Sequence, residues 1–281
     1  MNRDFTLSIY KKFLEQLVQA GYSTQTFQNF IEDPDKNSII LRHDVDARKL
    51  HSLQFAHIQH EFGITGTYYF RMIRQSYDVE LVREIEGMGH EIGYHYEDMD
   101  FANGDPKKAI ELFEKNLNKL RTVANVKTVC MHGSPLSRYD NRSLWKHYDY
   151  RDFGIIAEPY FDVDFRKVFY LTDTGRRWDG NKVSVRDKVT GIKSKKATEG
   201  QICEEHAANG KNSYKGSSLI SYDYKSTHDI INAMRNGTFP DRVIMNFHPQ
   251  RWTDNPVLWT QELVTQRVKN VVKRVLIKWR A

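Results

Sequence analysis

The sequence predicts an α/β fold with parallel strands, on three observations. Short apolar runs alternate with stretches of helical periodicity, as a series of βα units requires. Asp or His residues recur at the ends of those runs, where α/β sheets and barrels place their ligands. The chain has 281 residues, 40% of them hydrophobic, enough for one large domain with a buried core, and no repeat or low-complexity linker divides it. A single domain, 1–281, is therefore expected, with a core over about 38–250, a helical extension over 5–31 and an amphipathic helix over about 260–279.

The elements follow in order. Ser38-Ile39-Ile40-Leu41 reads as a buried strand ending at Arg42-His43-Asp44-Val45-Asp46, and a helix over about 50–62 stops at Gly63. Thr67–Phe70, rich in β-formers, is the next strand; Val79, Leu81, Val82 and Ile85 mark a helix closed by Gly87 and Gly89. Residues 90–96 form a third strand. Asn103-Gly104-Asp105-Pro106 then leads into a helix whose Ile110, Phe113, Leu117, Leu120 and Val123 keep the 3.6-residue period. A fourth strand over 126–131 ends at His132-Gly133-Ser134-Pro135. Beyond Tyr150 the pattern weakens to β-like runs at 155–157, 168–171 and 183–185. It resumes with a strand at 219–222, a helix around 230–234 and a strand at Arg242–Phe247 that ends on His248-Pro249.

Composition excludes several classes. Cys130 and Cys203 are too few and too far apart for a disulfide framework or a cysteine metal cluster, and read as thiols in a reducing compartment. In MNRDFTLSIYKKFLEQLVQAGY, Asp4, Lys11, Lys12 and Glu15 interrupt every apolar run, so no export signal is expected. No uncharged stretch approaches the roughly 18 residues that span a bilayer. A cytoplasmic protein, at most peripheral to a membrane, is the expectation. The net charge of +6 admits a nucleic acid, an anionic sugar or a membrane face. The basic residues are scattered and match no nucleic-acid motif, so no nucleic-acid partner is expected.

The chemistry sits at the strand ends. Asp44 and Asp46 are two residues apart, which on a strand puts both carboxylates on one face about 6–7 Å apart. That gap lets one carboxylate bind a metal while the other contacts the water it activates; a helix cap or a surface cation site is the plainer alternative. In HEIGYHYE, Gly93, His95 and Glu97 share one face, and the glycine leaves room for a ligand. A lone histidine at a strand end is more often structural, but several ends each carrying an Asp or His are seldom an accident. His132 and His248 close two further runs. A mononuclear zinc site needs about three protein donors from His and Asp, and Asp46, His95 and one further residue meet that need.

LRHDVD, followed by TGTYYF and GHEIGYH, resembles in order and spacing the polysaccharide deacetylases of carbohydrate esterase family four, over about 39–249. The resemblance implies a deformed (β/α) barrel of about seven strands and metal-dependent removal of N- or O-acetyl groups from a sugar or glycan. It implies Asp44 as catalytic base, Asp46 and His95 as metal ligands, and a divalent ion, zinc above others. Asp173 and Trp178, in YLTDTGRRWDG, are similar to an aspartate that orients the general acid and a tryptophan that lines the acetyl pocket. Tyr69 and Arg71 are expected beside Trp178 in the substrate pocket, and His248 resembles the histidine that protonates the leaving group. The family's second metal histidine falls at Met99, a poor zinc ligand. His132 occupies the place of an arginine that steadies the base, so it is either the missing ligand or the group that takes over that orienting role; as third ligand it is favoured over Glu97, Asp98 and Asp100. Arg42, Arg71 and Arg74 lie near strand ends, available to an anionic substrate group, though solvated surface charge is the commoner state of such residues.

Three functions remain open: a sugar deacetylase in surface polysaccharide biosynthesis, a non-sugar amide hydrolase of the same superfamily, and a glycan-binding relative without metal. Over the tail, Val264, Val268, Val271, Val272, Val275 and Trp279 mark one helical stripe, with Arg267, Lys269, Lys273, Arg274, Lys278 and Arg280 largely elsewhere. Such a stripe usually packs on its own domain; the other use is peripheral contact with an anionic membrane face.

Overall fold

The structure is a computed structural model describing residues 3–134, 137–178 and 224–280. Its elements are α1 (Leu7–Gln19), β1 (Ser23–Gln25), α2 (Phe27–Glu32), β2 (Ser38–Val45), α3 (Lys49–Glu61), β3 (Thr67–Phe70), α4 (Val79–Gly87) and β4 (Glu91–Tyr96). There follow α5 (Asp98–Phe101), α6 (Pro106–Arg121), β5 (Val129–Met131), α7 (Pro159–Asp162), β6 (Phe169–Thr172), α8 (Thr227–Arg235), β7 (Arg242–Phe247) and α9 (Pro256–Arg280).

Every strand pair is parallel, in the order β5-β4-β3-β2-β7-β6, with β1 beside the first half of β2. From β2 to β5, and from β6 through β7 back to β2, the strands succeed one another in chain order. That is barrel order; a doubly wound sheet would reverse direction at a switch point. Among the described residues the ring opens between β5 and β6, where a Thr128–Ala157 bridge extends the sheet beyond β5. The deformed (β/α) barrel of about seven strands is thus the observed fold.

Strand parity sorts the side chains into two layers. On β2, Ile39, Leu41 and Val45 face the helices, in one apolar cluster with Phe55, Leu81 and Phe247. Ile40 faces inward, in a second cluster with Tyr69, Cys130 and Ile244, and Phe27 and Phe30 of α2 close that interior from below. With both faces covered, all eight residues of β2 are buried. This explains why the strand runs past Leu41, where its polar residues suggested an end. The helices start where local chemistry dictates: Asp105 accepts from the Lys107 and Lys108 amides ahead of Pro106, and Ser226 with Asp229 forms a capping box on α8.

Other expectations shift. The stretch expected as a purely helical extension also supplies β1 to the sheet. The 126–131 run yields only three strand residues, and 155–157 contributes a single bridge. The predicted strands at 183–185 and 219–222, and Cys203, lie outside the described residues.

Candidate metal centre

Register brings the strand ends together. Arg42 is level with Asn246, Asp44 with Tyr69, Tyr69 with Gly93, and His95 with Cys130. The ladders continue past the strands: the His132 amide donates to the Tyr96 carbonyl (2.8 Å) and the Asp173 amide to that of Asn246 (3.1 Å). Asp44, Asp46, His95, His132, Asp173 and His248 therefore all stand at one end of the barrel.

Three donor atoms converge there. Asp46 Oδ1 lies 3.1 Å from His132 Nδ1 and 3.5 Å from His95 Nε2, and the two nitrogens are 3.3 Å apart. A tetrahedron of donors about 2.0–2.1 Å from a zinc ion has edges of about 3.3–3.4 Å, so the spacing fits. The polar chemistry agrees. Asp46 Oδ1 is buried yet makes no aligned hydrogen bond, even to the nearby His132 nitrogen. The carbonyl of Cys130, an obligate acceptor, takes the Nδ1–H of His95 (2.9 Å), so the Nε2 lone pair points at the cluster. Burial would push the Asp46 carboxyl up, but the imidazoles of His132, His95 and His248 outweigh it and hold it well below the ordinary range.

Asp46 is held from outside the cluster. Gln250 Nε2 donates to its Oδ2 (3.1 Å), and Arg71 to its backbone oxygen (3.3 Å) while gripping Glu97 through two bonds of 2.8 and 2.6 Å. A second grouping, Asp44, His95 and Cys130, shares His95. It is the weaker donor set, because both Asp44 oxygens are already engaged.

Asp44 is 2% exposed, and Arg42 clasps it through Nε to Oδ1 (2.9 Å) and Nη2 to Oδ2 (2.7 Å), while Asn246 Nδ2 adds 3.0 Å to Oδ2. Burial opposes ionisation, but the Arg42 guanidinium, with His95 and His248, brings the Asp44 pKa down to about 2. Its Oδ2 stands 3.8 Å from His95 Nε2. Opposite, His248 Nδ1 meets Asp173 Oδ1 at 2.6 Å, and Nε2 lies 3.9 Å from Asp46 Oδ2. Asp173 is fully buried and also accepts from the His248 amide, Arg251 and the Trp252 indole. Burial again raises its pKa less than His248 and Arg251 lower it.

Several expected placements need correction. Trp178 is 2% exposed and packs among Phe5, Phe247 and Trp252 in the helix-side core, its indole bonded to Thr227, rather than among the cluster residues. Tyr69 is fully buried, its hydroxyl 3.1 Å from that of Thr128, beneath the centre. Gly93 leaves room not for a ligand but for the Tyr69 ring, which a Cβ at that position would meet. Arg71 is committed to Glu97 and the Asp46 carbonyl, and Arg42 is buried; of the three arginines, Arg74 is the exposed one. Met99 sits in the core. Glu97 belongs to Arg71, Asp98 accepts from Tyr94 and Asn116, and Asp100 bonds Ser137 and Asn141. Asn246, Gln250, Arg251 and Trp252 were not singled out from sequence. Parity would have found Asn246, two residues before His248 on the same face.

A surface groove of about 680 Å³ lined by Glu86, Arg121, Asn125, Val126, Lys127 and Gly154 lies at the opposite end, before β5, and contains none of these groups. No family model and no curated protein matches the chain. Among solved structures it is similar to a family 4 carbohydrate esterase from Bacillus anthracis, at 16% identity over 52% of this chain and 67% of that one, with a TM-score of 0.33.

Proposed function

We propose that the chain is a metal-dependent hydrolase that removes an acetyl group from a sugar or glycan intermediate, with Asp46, His95 and His132 holding a divalent ion, zinc by preference. The observation that carries this reading is the convergence of Asp46 Oδ1, His95 Nε2 and His132 Nδ1 at separations of 3.1–3.5 Å. Two imidazoles and a carboxylate suit zinc, and three protein donors is the number catalytic zinc sites use. The bound cation would supply Lewis-acid polarisation of a water and of the acyl carbonyl.

The chain's own groups do the rest. Asp44, fixed by Arg42 and Asn246, stays ionised at every physiological pH and accepts the proton of the attacking water. At a pKa of about 2 it is a weak base, adequate only for a water already made acidic. His248 carries its Nδ1 proton on Asp173 and delivers one from Nε2 to the departing nitrogen or oxygen. The sugar comes from the resemblance in LRHDVD and GHEIGYH, and a place in cytoplasmic assembly of a surface polysaccharide is proposed with it. The intact donor set argues against a metal-free glycan-binding relative, since His132 stands where Met99 cannot serve.

The test is elemental analysis of the wild type beside Asp46→Ala, His95→Ala, His132→Ala and, as control, Met99→Leu, with acetate release from N-acetylated nucleotide sugars and oligosaccharides. About one equivalent of zinc in the wild type and the control, and a loss of at least tenfold in affinity in the other three, is expected. A wild type without stoichiometric metal, indifferent to chelation, would mean a binding protein. Acyl release from simple amides but from no sugar would move the substrate outside carbohydrates.

A further inference from the structure

The last helix is packed the wrong way round for a soluble surface. On α9, Glu262, Gln266 and Asn270 are 9%, 6% and 7% exposed, and they face the body of the protein. Asn270 donates to the Gly175 carbonyl (3.0 Å) and Gln266 to Glu262 (2.9 Å), while Arg176 bonds the Trp259 carbonyl and lies over its ring. On the other side, Val257, Val264, Val268 and Val271 are 73%, 56%, 60% and 58% exposed. At about 100° per residue these four valines fall within an arc of about 60°, opposite the buried polar three. The valine stripe expected to pack on its own domain therefore does the reverse over Val264, Val268 and Val271.

A helix that buries amides and exposes valines has an apolar layer as its natural partner. Charge selects which. Arg267 is exposed about 40° beyond one edge of the stripe and Lys269 is exposed further round on the other side, and from Leu263 to Arg280 the sequence holds six basic residues and no acidic one. A second copy of the chain would set these like charges against each other, and a nucleic acid offers phosphates without an apolar layer. Exposed valines between basic margins match the interface of an anionic bilayer, where such a helix lies in the plane with its apolar face in the acyl boundary and its cations among the headgroups. Among the described residues no helix is long and apolar enough to span a membrane, so the contact is from one side. We propose that α9 docks the protein on an anionic lipid surface through Val257, Val264, Val268 and Val271.

The test is co-sedimentation of the full chain with vesicles of phosphatidylcholine alone and with about 30% phosphatidylglycerol. The expected result is binding to the anionic vesicles, at least about tenfold weaker on the neutral ones. Val264→Glu with Val268→Glu should abolish that binding at unchanged melting temperature and metal content, because both positions touch solvent rather than core. Equal binding by this variant and the wild type would overturn the proposal, as would no binding at all. A wild-type dimer that the double variant converts to monomer would also overturn it, in favour of a second copy on the same face.

Discussion

Arg42 and Asp44 point into the barrel from one strand, and each makes the other's burial tolerable. The guanidinium is 1% exposed and satisfies both carboxylate oxygens, with the rings of Tyr69 and Tyr160 5.7 and 5.3 Å from its carbon. Removing one partner leaves an uncompensated charge in a low-dielectric interior, so Arg42→Met should cost about 3–5 kcal/mol, read by denaturant unfolding. Arg42→Met combined with Asp44→Leu should regain most of that stability, because a buried pair replaced by apolar groups of similar volume is often neutral. The proposed hydrolysis should not return. A double variant as unstable as the single one would show that the pair is not the source of the loss. That Arg42 faces inward was available from parity with Asp44. That it pairs with Asp44 rather than with a substrate anion was not, because the sequence does not say how deep a position lies.

At the scale of one element, β4 shows how the fold builds the centre from below. Gly93 lies level with Tyr69, whose ring occupies the space a side chain would take, and two residues on, His95 presents Nε2 to Asp46 and His132. Gly93→Ala would drive a methyl into the ring and against the Thr128 carbonyl, at a cost of about 1–3 kcal/mol. The strand should shift with it, weakening the proposed zinc binding in a titration although Asp46, His95 and His132 are unchanged. Tyr69→Leu in the same chain should restore part of the stability, and a Gly93→Ala protein with wild-type stability and zinc affinity would show that the ring gives way freely. The elements themselves were largely readable. β3 and β7 match the predicted runs end to end, since they are short and apolar and bounded by turn residues. β2 extended four residues beyond its apolar run, because burial on two faces permits paired polar groups within a strand.

For the whole molecule, buried ionisable groups pull stability in opposite directions with pH. Burial lowers the His43 pKa to about 3 and that of His90 to about 4, so both are neutral in the fold. Their folded values lie below the ordinary 6.5, so the stability they contribute is present above that pH and is lost as pH falls toward about 4. Burial raises Asp98 and Glu158 to about 7, and Glu91 in the same direction. These carboxyls hold protons in the fold that the unfolded chain releases, so their contribution is present below about pH 4 and is lost as pH rises to about 7. Between about pH 4.5 and 6.5 the two sets oppose each other. Asp98→Asn removes one carboxyl from the balance and should tilt stability upward with pH by about 1.4 kcal/mol per unit relative to wild type, measured by denaturant unfolding across that window. An unchanged slope would mean that Asp98 is ionised in the fold.

By itself the sequence determined the alternation of strands and helices, the parallel α/β class and the placing of Asp and His residues at strand ends, because periodicity and turn residues act over a few residues. Only the tertiary structure decided which strand ends meet. Pairing of β2 with β7 sets residues some 200 positions apart side by side, joining His248 and Asn246 to Asp44 and Asp46. It also set His132, and not Glu97, Asp98 or Asp100, beside Asp46 and His95, since each of those carboxylates is claimed by a neighbour that sequence spacing does not reveal. The same holds for α9: its periodicity marks an apolar face, but which face turns inward depends on what the rest of the chain presents to it.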